Sequence, residues 1–543
     1  MACPVNQVKA SADVSVPAYD SKDLSTGIVH FGIGNFTRAH QMSYLEDLLT
    51  IDFEGAKGWA YTGAGVREAS GKRHLEQYGS QGYRYSIVQS NGSGSKQRVQ
   101  VVGAMHEMLV GPLTPGELLK RLSSTETRIV SMTITEFGYT IPFSSQDEEL
   151  LKLARREGLS TEGDDSFEEA DKHNKKYDGA TVMGYVIAGL AARRTMGRGG
   201  MTILSCDNIP ENGNYVHGKI MEKLDSIDRS LKEWVEKNCS FPNCMVDSIT
   251  PGTDAKVKSN LEKRFGIIDK SPVPREFFKQ WVIEDKFVAG RPAWEKVGAQ
   301  MVKDVHPYEI AKIRMLNVSH TVMSLPGILK NLENGPDAAN DLTISHLYRS
   351  VIEQEIRPVL KKVPGMSAVN LPKYQKQLEH RFTKGLPDAL TRIAQDTSEK
   401  LRVQGVPAIR EGYEAGLDMK GLAFTVAAWG HYIELAAKDK KKLEDLRGDA
   451  VMNAMTTGGI DGLLDNKEIF QELTSDSRWR ESVKSSYNGI LNKGLDVTIQ
   501  SLYPKKESFW RGRSVALAAG ICVAGVAAGV ALQVFGRRVA VSA

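Results

Sequence analysis

A strand that runs straight into a glycine-bearing turn and then a helix sets the strongest limit on how this chain can fold. Gly27-Ile28-Val29-His30-Phe31-Gly32 reads as a buried strand, and a helical pattern follows through Ala39, Tyr44, Leu45, Leu48 and Leu49. Between them lies Gly32-Ile33-Gly34-Asn35-Phe36-Thr37. Gly32 permits the tight turn and Gly34 lets the backbone approach closely, so N–H groups at the helix start can hold a pyrophosphate. Thr37 stands where such turns usually carry a third glycine. Strand-like runs recur at Trp59–Gly63, Arg128–Ile134 and Met201–Ser205, alternating with helical patterns. That alternation predicts an open α/β sheet. In such sheets functional groups gather at the carboxyl ends of strands, where Thr135-Glu136 and Cys206-Asp207-Asn208 fall here.

At 543 residues the chain is too long for one typical core. Strand signals fade after Lys286, and helical periods dominate from Pro307 to Leu502. The expected organisation is a Rossmann-type dinucleotide-binding domain over 1–285, a mainly α-helical domain over 286–503, a linker over 504–513 and an apolar tail over 514–536. A net charge of +4 gives no case for a nucleic-acid partner. The five cysteines (Cys3, Cys206, Cys239, Cys244, Cys522) form no C-x-x-C and no paired framework, so a reducing compartment such as the cytosol is expected and a zinc site is not.

The tail reads SVALAAGICVAGVAAGVALQVF from Ser514 to Phe535, without a charge. A run of about 20 apolar residues spans a bilayer core. Lys505, Lys506, Arg511 and Arg513 precede it and Arg537 and Arg538 follow, where headgroups would lie. The expectation is a C-terminal transmembrane tail anchor over 514–536. It would tether cytosolic catalytic domains to a membrane, with the mitochondrial outer membrane the favoured address. A buried helix is the alternative.

The second strand is expected to end near an adenosine ribose, where an acidic side chain favours NAD; Glu68 is the candidate. Arg67, Lys72 and Arg73 are close by and can accommodate a 2′-phosphate, so NAD is expected with NADP as the alternative. Elsewhere, the run Tyr308–His320 has helical spacing and carries Glu309, Lys312, Asn317 and His320. In an α-helix Asn317 and His320 lie roughly 140° and 80° round from Lys312. Oxidising a secondary alcohol needs a base for the hydroxyl proton, and a buried lysine with a depressed pKa can serve. Asn317 and His320 can then hydrogen-bond the substrate oxygen. Taken alone, the run reads as well as a helix with scattered surface polar groups.

Six ordered motifs raise it above that: Gly32–Gln41, Thr133-Ile134-Thr135-Glu136, Ser205–Gly213, Phe241–Asp247, Gln280–Asp285 and the Lys312/Asn317/His320 helix. With them the sequence resembles the polyol-specific long-chain dehydrogenases, of the mannitol 2-dehydrogenase type, from about Gly27 to Leu502. The resemblance implies a metal-independent enzyme interconverting D-mannitol and D-fructose, with substrate between a Rossmann-type and a helical domain. It implies Lys312 as general base, Asn317 and His320 as groups polarising the substrate oxygen, and Glu309 as the route for proton exchange. Asn208 and Asp247 match polyol contacts, and Arg392 and Lys400 match further basic contacts. Gly32, Gly34, Asn35, Phe36, Arg38 and Glu136, with Glu68, are the implied cofactor positions. Thr37 replaces a usual histidine, Ser248 a common arginine, and Lys384-Gly385 the familiar Asn-Pro. Arabinitol, sorbitol and hexuronates are alternative substrates, and a membrane-tethered, non-catalytic nucleotide binder is the alternative class.

Overall fold

The structure, a computed structural model, describes residues 2–92, 94–160 and 165–504. The described residues divide into two units: 2–317 with Asn334–Pro336 and Leu360–Ala389, and Val318–Glu333 with Asp337–Val359 and 390–504.

In the first unit five parallel strands form the central sheet. They are β1 (Thr26–Phe31), β2 (Ala60–Gly65), β3 (Met105–Val110), β4 (Ile129–Met132) and β5 (Thr202–Ser205), in the order β3-β2-β1-β4-β5. Strand order reverses at β1, which leaves a crevice at its carboxyl end. Period-two alternation feeds two cores. Val29, Phe31, Val130, Met132 and Ile203 share one with Leu118, Leu122 and the buried helix Val182–Thr195. Ile28, Tyr61, Ile129 and Leu204 join Leu45, Leu48, Trp281 and Trp294 in the other. This is why the strands read as near-continuous apolar runs: both faces are covered.

A smaller sheet follows β5 in the chain. There β6 (Cys244–Asp247) pairs antiparallel with β7 (Gln280–Glu284), which runs parallel to β8 (Gln300–Val302). A further sheet is built from Val14–Ser15, Tyr85–Ser90, Gln97–Val102 and Val273–Arg275. The helix Leu371–Lys384, late in the sequence, also belongs to this unit.

The second unit is helical. Its longest helix, Lys420–Lys438, packs on Val318–Leu329, Gly448–Leu464 and Ser477–Lys493. The run Gly421–Gly430 is buried on every side, and its one polar side chain, Thr425, donates its hydroxyl to the Gly421 carbonyl at 2.9 Å. The N-terminus of that helix is satisfied from outside: Gly421 and Leu422 N–H donate to Glu355 at 2.7 and 3.2 Å, and the Tyr503 hydroxyl donates to the same carboxylate.

The expected transmembrane helix, and with it the membrane partner and the mitochondrial outer-membrane address, are corrected. No helix among the described residues is long and apolar enough to cross a membrane. The segment 514–536, on which those expectations were placed, lies outside the described residues. Lack of charge over a stretch is a necessary condition for a span and not a sufficient one, and this run is rich in Ala and Gly, which give less drive for insertion than Leu, Ile or Phe.

Candidate active site

At the carboxyl end of β1 the chain turns through Gly32, whose φ of +92° suits glycine. A Cβ there would lie 2.1 Å from the Thr133 carbonyl oxygen, so no other residue fits. A Cβ at Gly34 would meet only the Gly32 carbonyl oxygen, at 3.9 Å. Thr37, in place of the third glycine, ties the helix Asn35–Ala39 to the sheet by hydroxyl bonds to His30 (2.9 Å) and Thr133 (2.7 Å). Burial pushes His30 down to about 3, so its ring is neutral.

Above this turn lies a cleft of about 550 Å³, bordered by Gly32, Ile33, Gly65, Arg67, Ser70, His74, Thr133, Ile134 and Thr135. It opens over the carboxyl ends of β1, β2 and β4, the place and size for a nucleotide. The tight glycine turn under an open Gly34 fits a pyrophosphate, so these residues suit a nicotinamide dinucleotide. Glu68 does not border the cleft. Its carboxylate accepts from Lys72 at 2.6 Å and lies 3.7 Å from Lys175, which hold it below the usual range. Arg67, Ser70 and His74 line the wall instead. The other expected cofactor side chains are spread around the turn. Arg38 is buried and donates to Asn35 (2.7 Å) and to the Ser271 carbonyl (2.6 Å). Phe36 stacks on His40, and Glu136 is exposed on the short helix Thr135–Thr140.

That helix begins at Thr135 with φ of +64°, a strained value for a threonine. Asp207, just past β5, holds it there. Its carboxylate accepts from Ile134 N–H (3.0 Å), Thr135 N–H (2.8 Å) and the Tyr139 hydroxyl (2.6 Å).

One residue further, Asn208 meets Lys312. The Lys312 ammonium donates to Asn208 Oδ1 at 2.6 Å and to the Val246 carbonyl on β6 at 2.7 Å. Lys312 is buried, and loss of solvent lowers its pKa against the pull of Asp247. Glu309, one turn earlier, accepts from the Glu211 N–H at 3.1 Å, and burial pushes it up to about 7.

The helix carrying these residues is not uniform. His306–Ala311 is α-helical, and Lys312–Asn317 is a π turn. The wider i to i+5 turn brings Asn317 nearer the face of Lys312 than the roughly 140° of an α-helix. The expected α geometry is corrected on this point.

Asp247 points its carboxylate at Arg381, which grips both oxygens at 2.7 and 2.9 Å. Burial works against the charge, and Arg381 outweighs it, holding Asp247 below the usual range. His320, Arg392 and Lys400 belong to the second unit, where Lys400 donates to the Ile393 carbonyl at 2.8 Å. Sequence reasoning did not single out Arg381, Asp207 or Glu276. Asp207 carried a signal, a polar residue at a strand's carboxyl end. Arg381 carried none, since its partners lie more than a hundred residues away.

The family model for the mannitol dehydrogenase Rossmann domain matches residues 26–296, and that for the mannitol dehydrogenase C-terminal domain matches 304–491. The chain belongs to the mannitol dehydrogenase family. It is a nicotinamide-dependent polyol dehydrogenase. Among its relatives is a polyol:NADP oxidoreductase of Gluconobacter oxydans, 37% identical over 79% of this chain and 84% of that one. A D-sorbitol dehydrogenase in substrate-free form is 32% identical with a TM-score of 0.77, covering 90% of this chain and 98% of that one. Mannitol 2-dehydrogenase of Pseudomonas fluorescens, in complex with NAD and D-mannitol, is 31% identical with a TM-score of 0.74, covering 91% and 98%.

Proposed function

We propose that the chain interconverts a polyol and its ketose, D-mannitol and D-fructose in the first instance, with Lys312 as general base. One observation carries the reading: the Lys312 nitrogen is buried and its hydrogens are directed at two fixed acceptors, Asn208 Oδ1 and the Val246 carbonyl. A neutral amine has two N–H groups and one lone pair. With both hydrogens held, the lone pair is left for an alcohol proton. Burial lowers the Lys312 pKa, which favours the neutral amine over the ammonium ion.

Bound nicotinamide nucleotide supplies the hydride acceptor. The work of the chain is to place the alcohol and move its proton. Lys312 takes the hydroxyl proton as the carbonyl forms, and Asn317 donates a hydrogen bond to the substrate oxygen. Glu309, poised near 7 and one turn away, passes the proton between Lys312 and solvent. Asn208, besides orienting Lys312, contacts the polyol. Both nicotinamide forms are read as acceptable. The Pseudomonas relative was seen with NAD, while Arg67, Ser70 and His74 in the cleft wall suit a 2′-phosphate.

The likeness to a D-sorbitol dehydrogenase supports a second reading, sorbitol oxidised at the equivalent carbon. Initial rates with mannitol, sorbitol and arabinitol, with the ketose identified by chromatography, test the assignment. Mannitol giving fructose at the highest kcat/KM is expected. A higher value for sorbitol would move the assignment to the second reading, and no ketose from any polyol would end both.

A further inference from the structure

Arg381 comes from the helix Leu371–Lys384 and lies buried in the first unit. Its guanidinium grips Asp247 through both terminal nitrogens, at 2.7 and 2.9 Å. On its other side it reaches Glu276 at 2.8 and 3.1 Å and lies 4.1 Å from the centre of the Phe278 ring. Glu276 is fixed in turn by the Ile249 N–H at 2.7 Å. Asp247 directly follows Val246, whose carbonyl holds Lys312. A fork clamped this fully places one positive charge beside the residue next to the base, in surroundings where charges are weakly screened.

We propose that Arg381 is a positioning residue for the reaction: by holding Asp247 in a bidentate pair, it stops that carboxylate from locking Lys312 as an ammonium ion. The proposal rests on the reading of Lys312 as base. An uncompensated Asp247 would attract the Lys312 proton and raise the pH needed for alcohol oxidation. With Arg381 in place the two charges oppose each other at Lys312, which is then governed by burial. The other groups facing Lys312 include Glu309 on its own helix, Cys244 on β6 and the neutral Asn208 amide. Those facing Asp247 besides Arg381 and Lys312 include His40, neutral through burial, and Tyr374 on the Arg381 helix. None of these is a cation that can replace Arg381.

The test is the pH dependence of kcat/KM for polyol oxidation at saturating nucleotide, with circular dichroism as the check on folding. In R381M the acid limb moves up by about one pH unit or more, and R381K, which keeps the charge, returns it toward the wild-type midpoint. An unmoved limb in R381M, or a limb in R381K displaced as far as in R381M, overturns the proposal. If R381M does not fold, D247N gives the reading. The pull of Asp247 on the Lys312 proton is then gone while Arg381, still paired with Glu276, remains, and the limb moves down; an unmoved limb overturns the proposal. K312A measured alongside separates the two claims. Turnover retained in K312A with the same limb removes Lys312 as base. Turnover lost in K312A with an unmoved limb in R381M removes the role of Arg381 alone.

Discussion

At the residue scale, identity and orientation prove separable. Glu68 was readable as the acid near the ribose, but its carboxylate turns to Lys72 and Lys175, and Arg67 borders the cleft in its place. Local sequence cannot show this, because Lys175 comes from a segment over a hundred residues away. The consequence is measurable by titration of intrinsic fluorescence. Arg67→Ala weakens NADPH binding by about tenfold while leaving NADH binding nearly unchanged, the size expected for one charge-assisted contact. Glu68→Gln changes neither by much. Equal effects of Arg67→Ala on both nucleotides would show that the arginine does not meet the 2′-phosphate. Lys312, Asn208 and Glu309 were legible through the resemblance, whereas the role of the Val246 carbonyl was not, since no side chain announces it.

At the element scale, the strand–turn–helix at the head of the chain was legible because its demands are local. A positive φ and a neighbour at 2.1 Å leave glycine alone at position 32. Gly32→Ala therefore loses about 1–3 kcal/mol from backbone strain alone, with the clash in addition. It is expected to show a lower melting temperature and no measurable nucleotide binding. Wild-type affinity in that variant would contradict the placing of the pyrophosphate. The π turn at Lys312–Asn317 was not legible. Apolar spacing reports which face is buried, and one extra residue in a turn leaves that pattern nearly intact.

At the scale of the whole molecule, the division into an α/β and a helical part followed from the change of period along the sequence. The return of Leu360–Ala389 to the first unit did not, because it depends on long-range partners such as Asp247 and Arg381. Three buried carboxyls, Glu46, Glu309 and Glu355, are each pushed up to about 7 by burial. Between 4.5 and 7 the folded chain then binds more protons at these sites than the unfolded chain. Stability falls as pH rises through that window. For Glu355 the loss is about 3 kcal/mol. Glu355→Gln removes this titration, so denaturant midpoints of the variant gain on the wild type as pH rises from 4.5 to about 7 and level off above it. A gap independent of pH would mean that Glu355 is charged in the folded protein throughout.

The central claim is that a nicotinamide-dependent polyol dehydrogenase works here through Lys312. The most direct test follows nicotinamide absorbance during D-mannitol oxidation by wild type and Lys312→Ala, with nucleotide affinity measured on the same samples. Turnover is expected in the wild type, with a fall of about 10²–10⁴-fold in the variant at unchanged nucleotide affinity. Undiminished turnover in Lys312→Ala would contradict it.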